Sequence, residues 1–448
     1  MRNPIGGLMA LVLTITPLIA VAVPPLDEEN VQPLEGAKEL TAEQLVAAVL
    51  NNNAGLRGLA AAAEAADYRI APAGALDDPM LTYAGAPETA GGPRGFQERV
   101  ELSQTLPWPG KLALREESAR AQAQAQRQSL SDQRLVLAAA AKRLFAEWSY
   151  IHRTLQIKHA HKDLLVELQR VAETQYAVGT ARQQDVLLAA VEEARIDTEI
   201  VAHQRRQREV RAMVNGLLNR PPDTSLPPPA PLPEPQGPPG LPVLQAAALE
   251  EHPSLQRIRA QVDAAEAQHG LARKDYFPDF KLAAGYSSLW DDADKRWTVG
   301  LTINLPFDFS NKRDATADAT RADVMRYQWQ LTDQEAQLLA QLERGRARVQ
   351  ETRDVVDIHR RRLVPLAEEN LDAAVADYRA GRGSFLNVID AERQQLRTED
   401  NLARAHADYL RALAALEQAA GRPLDGASPP SATSSSPAGA HGDAIEHE

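Results

Sequence analysis

The sequence predicts a mainly α-helical chain with a transmembrane β-barrel component, built as two tandem repeats of helix, β-hairpin, long helix and return helix. Three observations lead there. The chain says nearly the same thing twice: Tyr176, Gly179, Asp185, Val186, Ala189, Arg195, Arg220 and Pro221 recur 202 residues later as Tyr378, Gly381, Asn387, Val388, Ala391, Arg397, Arg422 and Pro423. Upstream, Leu45, Leu50, Leu56, Pro79, Leu102, Leu106 and Pro107 recur 199 residues later as Leu244, Leu249, Leu255, Pro278, Leu301, Leu305 and Pro306. A self-similarity of this length marks two copies of one structural unit. Second, each copy holds short segments of strict two-residue alternation. Third, each copy then runs through a helical pattern far longer than a globular domain needs, in a composition with abundant Ala and only 5% aromatics.

The N-terminus stands apart. Arg2 precedes an apolar run from Leu8 to Val21, and Ala20-Val21-Ala22 precedes Asp27-Glu28-Glu29. This pattern is a secretory signal covering residues 1–22; the alternative is an N-terminal membrane anchor, for which the run is short. The chain has no cysteine. Structural disulfides, thiolate metal ligands and a lipid-bearing N-terminal Cys are therefore excluded. No later apolar stretch is long enough for a transmembrane helix. The net charge of −12 argues against a nucleic-acid partner and is compatible with a cation-conducting channel.

The first repeat is assigned to residues 40–220. Thr41 caps a helix with apolar positions at Leu45, Val49, Leu56 and Leu59, ending near Pro79. Pro79 to Gly85 and the alternation of Val100, Leu102 and Leu106 with Arg99, Glu101, Ser103 and Thr105 form a hairpin around a Gly- and Pro-rich loop at residues 86–95. In the second repeat, residues 243–424, Phe280, Leu282, Ala284 and Tyr286 alternate with Lys281, Ala283, Gly285 and Ser287. Trp297, Val299, Leu301, Ile303 and Leu305 alternate with Arg296, Thr298, Gly300, Thr302 and Asn304. Strands of about ten residues span a membrane when tilted, with the apolar side to lipid and the polar side to water. Phe280, Leu282, Tyr286, Trp297, Val299, Leu301 and Ile303 are the candidate lipid-facing residues. The alternative is an ordinary two-faced hairpin over a soluble core.

Leu112 to Tyr176 contains neither Pro nor Gly, and Leu137, Ala141, Leu144, Trp148, Ile151 and Leu155 step by four and three along it. A helix of that length is roughly 100 Å long. The second repeat carries the same rod with Leu331, Leu338, Leu342, Val349 and Val356, interrupted at Gly345 and Pro365. Gly179 and Gly381 end the long helices, with Gly383 in the second turn, and antiparallel return helices follow over Gln183 to Asn219 and Ser384 to Gly421. One repeat is thus a long rod flanked by two shorter rods that meet near its middle. Residues 221–242, eleven of them proline, form an extended connector, and residues 425–448 form a disordered tail. Tail residues His441, Asp443, Glu446 and His447 are read as solvated, with weak metal contact as the alternative.

Four strands cannot close a barrel, and open edges are not tolerated in lipid. The chain either stays soluble or shares a barrel among copies: a dimer gives eight strands, a trimer twelve, and larger barrels leave an aqueous lumen. No hydrolase elbow, phosphate loop or zinc-protease motif is visible, so no enzyme, cofactor or resident metal is expected. His152 and His159 share a helix stripe with His161 nearby; they are read as polar wall positions, with a metal contact as the alternative.

The paired Tyr-x-x-Gly turns, the Leu106-Pro107-Trp108-Pro109-Gly110-Lys111 exit, the Tyr276-Phe277-Pro278-Asp279-Phe280 lead-in and the Leu305-Pro306-Phe307 exit resemble the TolC-type outer-membrane efflux channels, over about Leu40 to Leu424. The resemblance implies a homotrimer with a twelve-stranded barrel in outer-membrane lipid, continued by an α-helical periplasmic tunnel. It also implies a tripartite pump with a periplasmic adaptor (membrane fusion protein) and an inner-membrane transporter. The Trp-Pro-Gly-Lys exit looks most like the heavy-metal branch that serves resistance-nodulation-division cation pumps. By motif position, Asp390 and Asn387 match the acidic ring of the periplasmic gate, Tyr378 the latch tyrosine and Asp185 its acidic partner. The chain departs from the family at Asn387, which removes a carboxylate, and at Gly383, where the best-known members hold a latch arginine. The plainer reading of Asp185 and Asp390 is capping of the return helices. The rival for the whole chain is a soluble periplasmic coiled-coil adaptor or structural spacer.

Overall fold

The computed structural model describes residues 38–86, 97–288 and 296–424. The expected secretory segment 1–22, residues 87–95 of the first hairpin loop and the tail 425–448 with its histidines lie outside the described residues. The chain opens with α1 (Ala42–Asn52), α2 (Ala54–Tyr68) and α3 (Ile70–Gly74), where the sequence suggests one helix. The start is as expected: the Thr41 side chain accepts from the Gln44 backbone, and Gln44 returns a bond to Thr41 N–H. The break comes from Asn53. Its side chain accepts from Leu56 N–H at 3.1 Å and donates to the Leu217 carbonyl at 3.0 Å, competing with the helical ladder.

After the first hairpin, β1 (Met80–Ala86) and β2 (Gln97–Leu106), α4 (Lys111–Ala177) runs unbroken for 67 residues, roughly 100 Å. The return helix is α5 (Gln183–Leu217). Leu45 and Val49 of α1 meet Leu137, Phe145, Trp148 and Ile151 of α4 and Val210 and Val214 of α5 in one core. Full burial of each such side chain contributes roughly 1.5–3 kcal/mol. The shorter rods thus meet along the middle of the long one, where Asn219 also donates to the Asn52 carbonyl at 2.8 Å.

The second half follows the same order: α6 (Leu241–Glu251), α7 (Pro253–Lys274), β3 (Phe280–Ser287), β4 (Trp297–Ile303), α8 (Lys312–Ile358), a π-helical turn (His359–Leu363), α9 (Val364–Arg379) and α10 (Phe385–Ala420). The break between α6 and α7 falls at His252, 199 residues after Asn53, and is again capped by a side chain, with Ser254 N–H donating to His252 Nδ1. Gly345 does not interrupt the rod. It lies inside α8, where a Cβ would stand 3.2 Å from Leu416 Cδ1, so the glycine lets α10 approach closely. Pro365 does act: the π-helical turn just before it absorbs the missing donor and the ring clash. The proline-rich connector ends at Gly240, because Pro242 already sits in the first turn of α6. It crosses the rods as a belt. Leu40 N–H donates to the Pro228 carbonyl, Trp148 Nε1 to the Pro227 carbonyl, and Tyr409 Oη exchanges bonds with the Gln236 backbone.

The four strands form one antiparallel sheet in chain order, β1-β2-β3-β4. Their described lengths are 7, 10, 8 and 7 residues; β1 is the short partner expected, and β3 and β4 fall short of the ten or so expected from the alternation. The register stacks Tyr83, Val100, Tyr286 and Trp297 in one row, and Leu81, Leu102, Ala284 and Val299 in the next. Gln104, Leu282 and Leu301 form a third row, and Leu106, Phe280 and Ile303 a fourth. One face is therefore apolar, while Arg99, Glu101, Ser103, Lys281, Ser287 and Thr298 share the other.

Candidate functional site

The seven residues expected to face lipid lie on one side of the sheet by register. That side is open: Val299 is 90% exposed, and Leu81, Tyr83, Leu102, Leu282, Trp297 and Leu301 are exposed with it. Small residues of the polar side, Ser103, Gly285 and Ser287, are buried instead. Burial on the sheet thus falls on small polar-side residues of the central strands β2 and β3 while the apolar side stays exposed, the reverse of a sheet covering a soluble core. No described helix is long and apolar enough to cross a membrane.

The sheet joins the rods through the two sequence motifs at its base. Lys111 is buried, with Nζ 3.0 Å from both Asp275 and Asp279. Trp108 N–H donates to Asp279 at 2.8 Å, and its ring stacks on Phe277 at 5.0 Å and Phe280 at 5.9 Å. The Trp-Pro-Gly-Lys exit of one half and the Phe-Pro-Asp-Phe lead-in of the other are two sides of a single joint. A buried lysine needs such carboxylates, since an unpaired buried charge costs several kcal/mol. The sequence signalled both motifs but not their pairing.

At the opposite end lie the helical turns. Gly179 (φ +80°) and Gly381 (φ +72°) both occupy the left-handed region. Their hydrogen bonds repeat atom for atom. Gly179 N–H donates to the Tyr176 carbonyl, and Thr180 and Ala181 N–H to that of Gln175; Gly381, Arg382 and Gly383 N–H bond Tyr378 and Asp377 in the same way. Gly383 is not left-handed. Its counterpart is Ala181, and a Cβ at 383 would stand 3.1 Å from that of Asp377.

Tyr378 is only 5% exposed, its ring 5.0 Å from that of Phe385. Burial raises its pKa, and the nearby Asp185 carboxylate raises it further. The hydroxyl nevertheless finds no aligned hydrogen-bond partner among the described residues. Asp185 and Tyr378, expected as partners, are therefore brought together. Asn387 and Asp390 are exposed on α10. Neither aspartate makes a side-chain capping bond; Ser384 Oγ caps α10 by accepting from Asn387 N–H. Asp390 instead stands 3.3 Å from Arg393, which also reaches Glu192 of α5.

Between turn and sheet, the three histidines separate. His152 packs on Trp148 at 4.4 Å and contacts Gln207, His159 is exposed, and His161 is buried between Glu392 at 3.0 Å and Glu399 at 3.7 Å. Burial opposes the charged imidazole, but hydrogen bonds to Glu392 and Glu399 and their charges outweigh it and raise the His161 pKa to about 9. His161 thereby ties α4 to α10. Sequence reading missed this clamp because its members lie 231 and 238 residues apart. No group of three His, Asp or Glu among the described residues is arranged to hold a metal ion.

Residues 244–422 match the family model described as outer membrane efflux protein. The chain is 25% identical over 375 residues to nodulation protein T of Rhizobium leguminosarum bv. viciae, covering 77% of this chain and 73% of that protein. It is 27% identical over 184 residues to cobalt-zinc-cadmium resistance protein CzcC of Cupriavidus metallidurans, where the match covers 40% of this chain and only 41% of that protein. Among solved structures, CusC superposes with a TM-score of 0.74 at 19% identity, covering 85% of this chain and 92% of that one. The fold of the chain is thus like that of CusC, and its second half, residues 244–422, matches the outer membrane efflux protein family.

Proposed function

We propose that the chain is the outer-membrane duct of a tripartite efflux pump, assembled as a homotrimer of two-repeat protomers with a shared twelve-stranded barrel. One observation carries this reading: a four-stranded sheet, open along β1 and β4, leaves its apolar face exposed while small polar-side residues of its central strands are buried. Strand edges in lipid must be paired, and a second and third copy supply the pairing. The same face weighs against the soluble adaptor or spacer, which would have to keep Val299, Trp297 and Leu301 in water. The rods extend the barrel as a tunnel through the periplasm, where an adaptor and an inner-membrane resistance-nodulation-division transporter engage it. The duct is passive. Likeness to CzcC favours metal cations as the cargo.

The helical turns form the periplasmic gate in this reading. Asp390 from each protomer contributes to an acidic ring that attracts cations, Asn387 leaves the second ring position neutral, and Tyr378 beside Asp185 is the latch. Native mass measurement in detergent tests the assembly, and a paired substitution tests the faces. The wild type is expected as a trimer. Val299→Arg should impair trimer assembly through a penalty of about 2–4 kcal/mol at the bilayer midplane, whereas Thr298→Arg, on the lumen side, should assemble. A clean monomer, or equal behaviour of the two variants, refutes the architecture.

A further inference from the structure

The two return helices, α5 and α10, flank α4 and touch each other only slightly. A charged bridge spans that gap. Arg393 of α10 bonds the Glu192 carboxylate of α5, and its other terminal nitrogen stands 3.3 Å from Asp390 one turn earlier. On the α5 side, Arg195 Nε lies 2.9 Å from the second oxygen of Glu192, out of hydrogen-bond alignment. Glu192 is 2% exposed. A carboxylate so removed from water stays charged only because guanidinium groups face it. The hydrogen bond from Arg393 accordingly holds its pKa below the usual range against the opposing effect of burial.

The surroundings make this more than a static pair. Buried polar atoms without an aligned partner gather along the turn-proximal stretches of these elements: Glu192 Oε2, Arg195 Nε, Tyr378 Oη, Glu392 Oε2, Arg393 Nε and Gln395 Oε1. Buried groups left unmet are rare and costly, and here they surround the bridge between the return helices. Arg393 is also shared. One carboxylate it meets is buried on the other return helix, and the second is exposed on its own helix.

We propose that Arg393 is a positioning residue for the entrance: bound to Glu192 it clamps the two return helices together, and released from Glu192 it swings wholly to Asp390. The proposal rests on reading the helical turns as the channel gate. It makes opening and ion preference one event, because the swing that frees α5 also neutralises the exposed carboxylate at 390.

Single-channel recording of the purified full chain in planar bilayers, with and without a potassium chloride gradient, tests it. Arg393→Gln and Glu192→Gln should each raise the open fraction about tenfold, the scale expected for one charge-assisted hydrogen bond. Their selectivities should diverge. Arg393→Gln uncovers Asp390 and should raise cation preference, whereas Glu192→Gln sends Arg393 to Asp390 and should lower it. The exchange Glu192→Arg with Arg393→Glu should bring the open fraction back towards the wild type, and Arg393→Lys, which keeps the charge, should stay near it. Single variants that conduct like the wild type, selectivities that move together, or an exchange no better than the single variants would overturn the clamp. Absence of conductance from the wild type and variants alike would overturn the channel reading itself, and the clamp with it.

Discussion

The two helical turns share a backbone and differ in what they cover it with. Both place a glycine at a left-handed φ and repeat the same N–H to carbonyl bonds. Yet Tyr176 of the first turn is 49% exposed, while Tyr378 of the second is buried in the hydrophobic core at that end of the rods. The cause lies at a single position further along each chain segment. Phe385 opens α10 and packs its ring, tilted, against that of Tyr378, whereas its counterpart Gln183 is exposed at the start of α5. Capping differs too: Ser384 caps α10 with its side chain, and its counterpart Arg182 makes no capping bond. The second turn is therefore a packed, self-supporting corner, and the first is held mainly by its backbone. The two turns thus share their backbone geometry and differ in side-chain packing.

Breaking the packed corner should have the largest effect. Phe385→Gln makes the second turn resemble the first and removes a fully buried ring, an expected cost of about 3–5 kcal/mol. The reverse change, Gln183→Phe, should alter stability by no more than about 0.5 kcal/mol, as exposed substitutions do. Thermal unfolding of the detergent-solubilised protein separates the two. Similar losses from both would mean the corners are equivalent and the asymmetry carries no weight.

The join between the halves gives the next effect, through pH. His161 of α4 is charged between Glu392 and Glu399 of α10, and its pKa stands at about 9 when folded against the ordinary imidazole value of 6.5. A raised folded pKa means the folded state holds the proton more tightly, so the contribution is fully present below pH 6.5 and fades as pH rises to about 9. Its size is on the order of a few kcal/mol. Stability should fall across that window in the wild type, and His161→Gln should flatten the slope. A wild-type profile without the fall would mean that His161 is not charged in the fold.

These contrasts trace what sequence alone conveys. The rods, the hairpins, the turn glycines and the apolar face were legible, because each rests on local periodicity or on residues that recur at a fixed offset. Bends were less so. Asn53 and His252 break helices through their own side chains, and Gly345 breaks none because a neighbour closes over it. At the helical turns, Asp185 lies close enough to Tyr378 to raise its pKa. Glu192, Arg393, His161 and the Lys111 joint were not found, because their partners come from the other half of the chain and no spacing rule connects them.

Where the turns are alike, substitution should act alike. Gly179→Ala and Gly381→Ala meet no neighbouring atom within 4 Å at the new Cβ. Only the left-handed backbone resists the side chain, at roughly 1–2 kcal/mol in each case. Equal shifts in unfolding temperature are expected. A much larger loss at Gly381 would show that packing around Phe385 also stiffens the backbone of its turn.

The smallest and sharpest test is a single oxygen. Tyr378→Phe keeps the ring against Phe385 and removes a buried hydroxyl that lies near Asp185 without an aligned bond. A well-formed hydrogen bond contributes about 0.5–1.5 kcal/mol net, and poor alignment places this one at the lower end. The open fraction in bilayer recordings should therefore rise by no more than about threefold, less than the change expected at Arg393. The control lies in the first turn: Tyr176→Phe removes an exposed hydroxyl and should leave gating as it was. If Tyr378→Phe instead lowers the open fraction, the unmet hydroxyl was destabilising the closed corner and the latch is the ring alone. If both tyrosines respond equally, burial of the second turn has no part in gating.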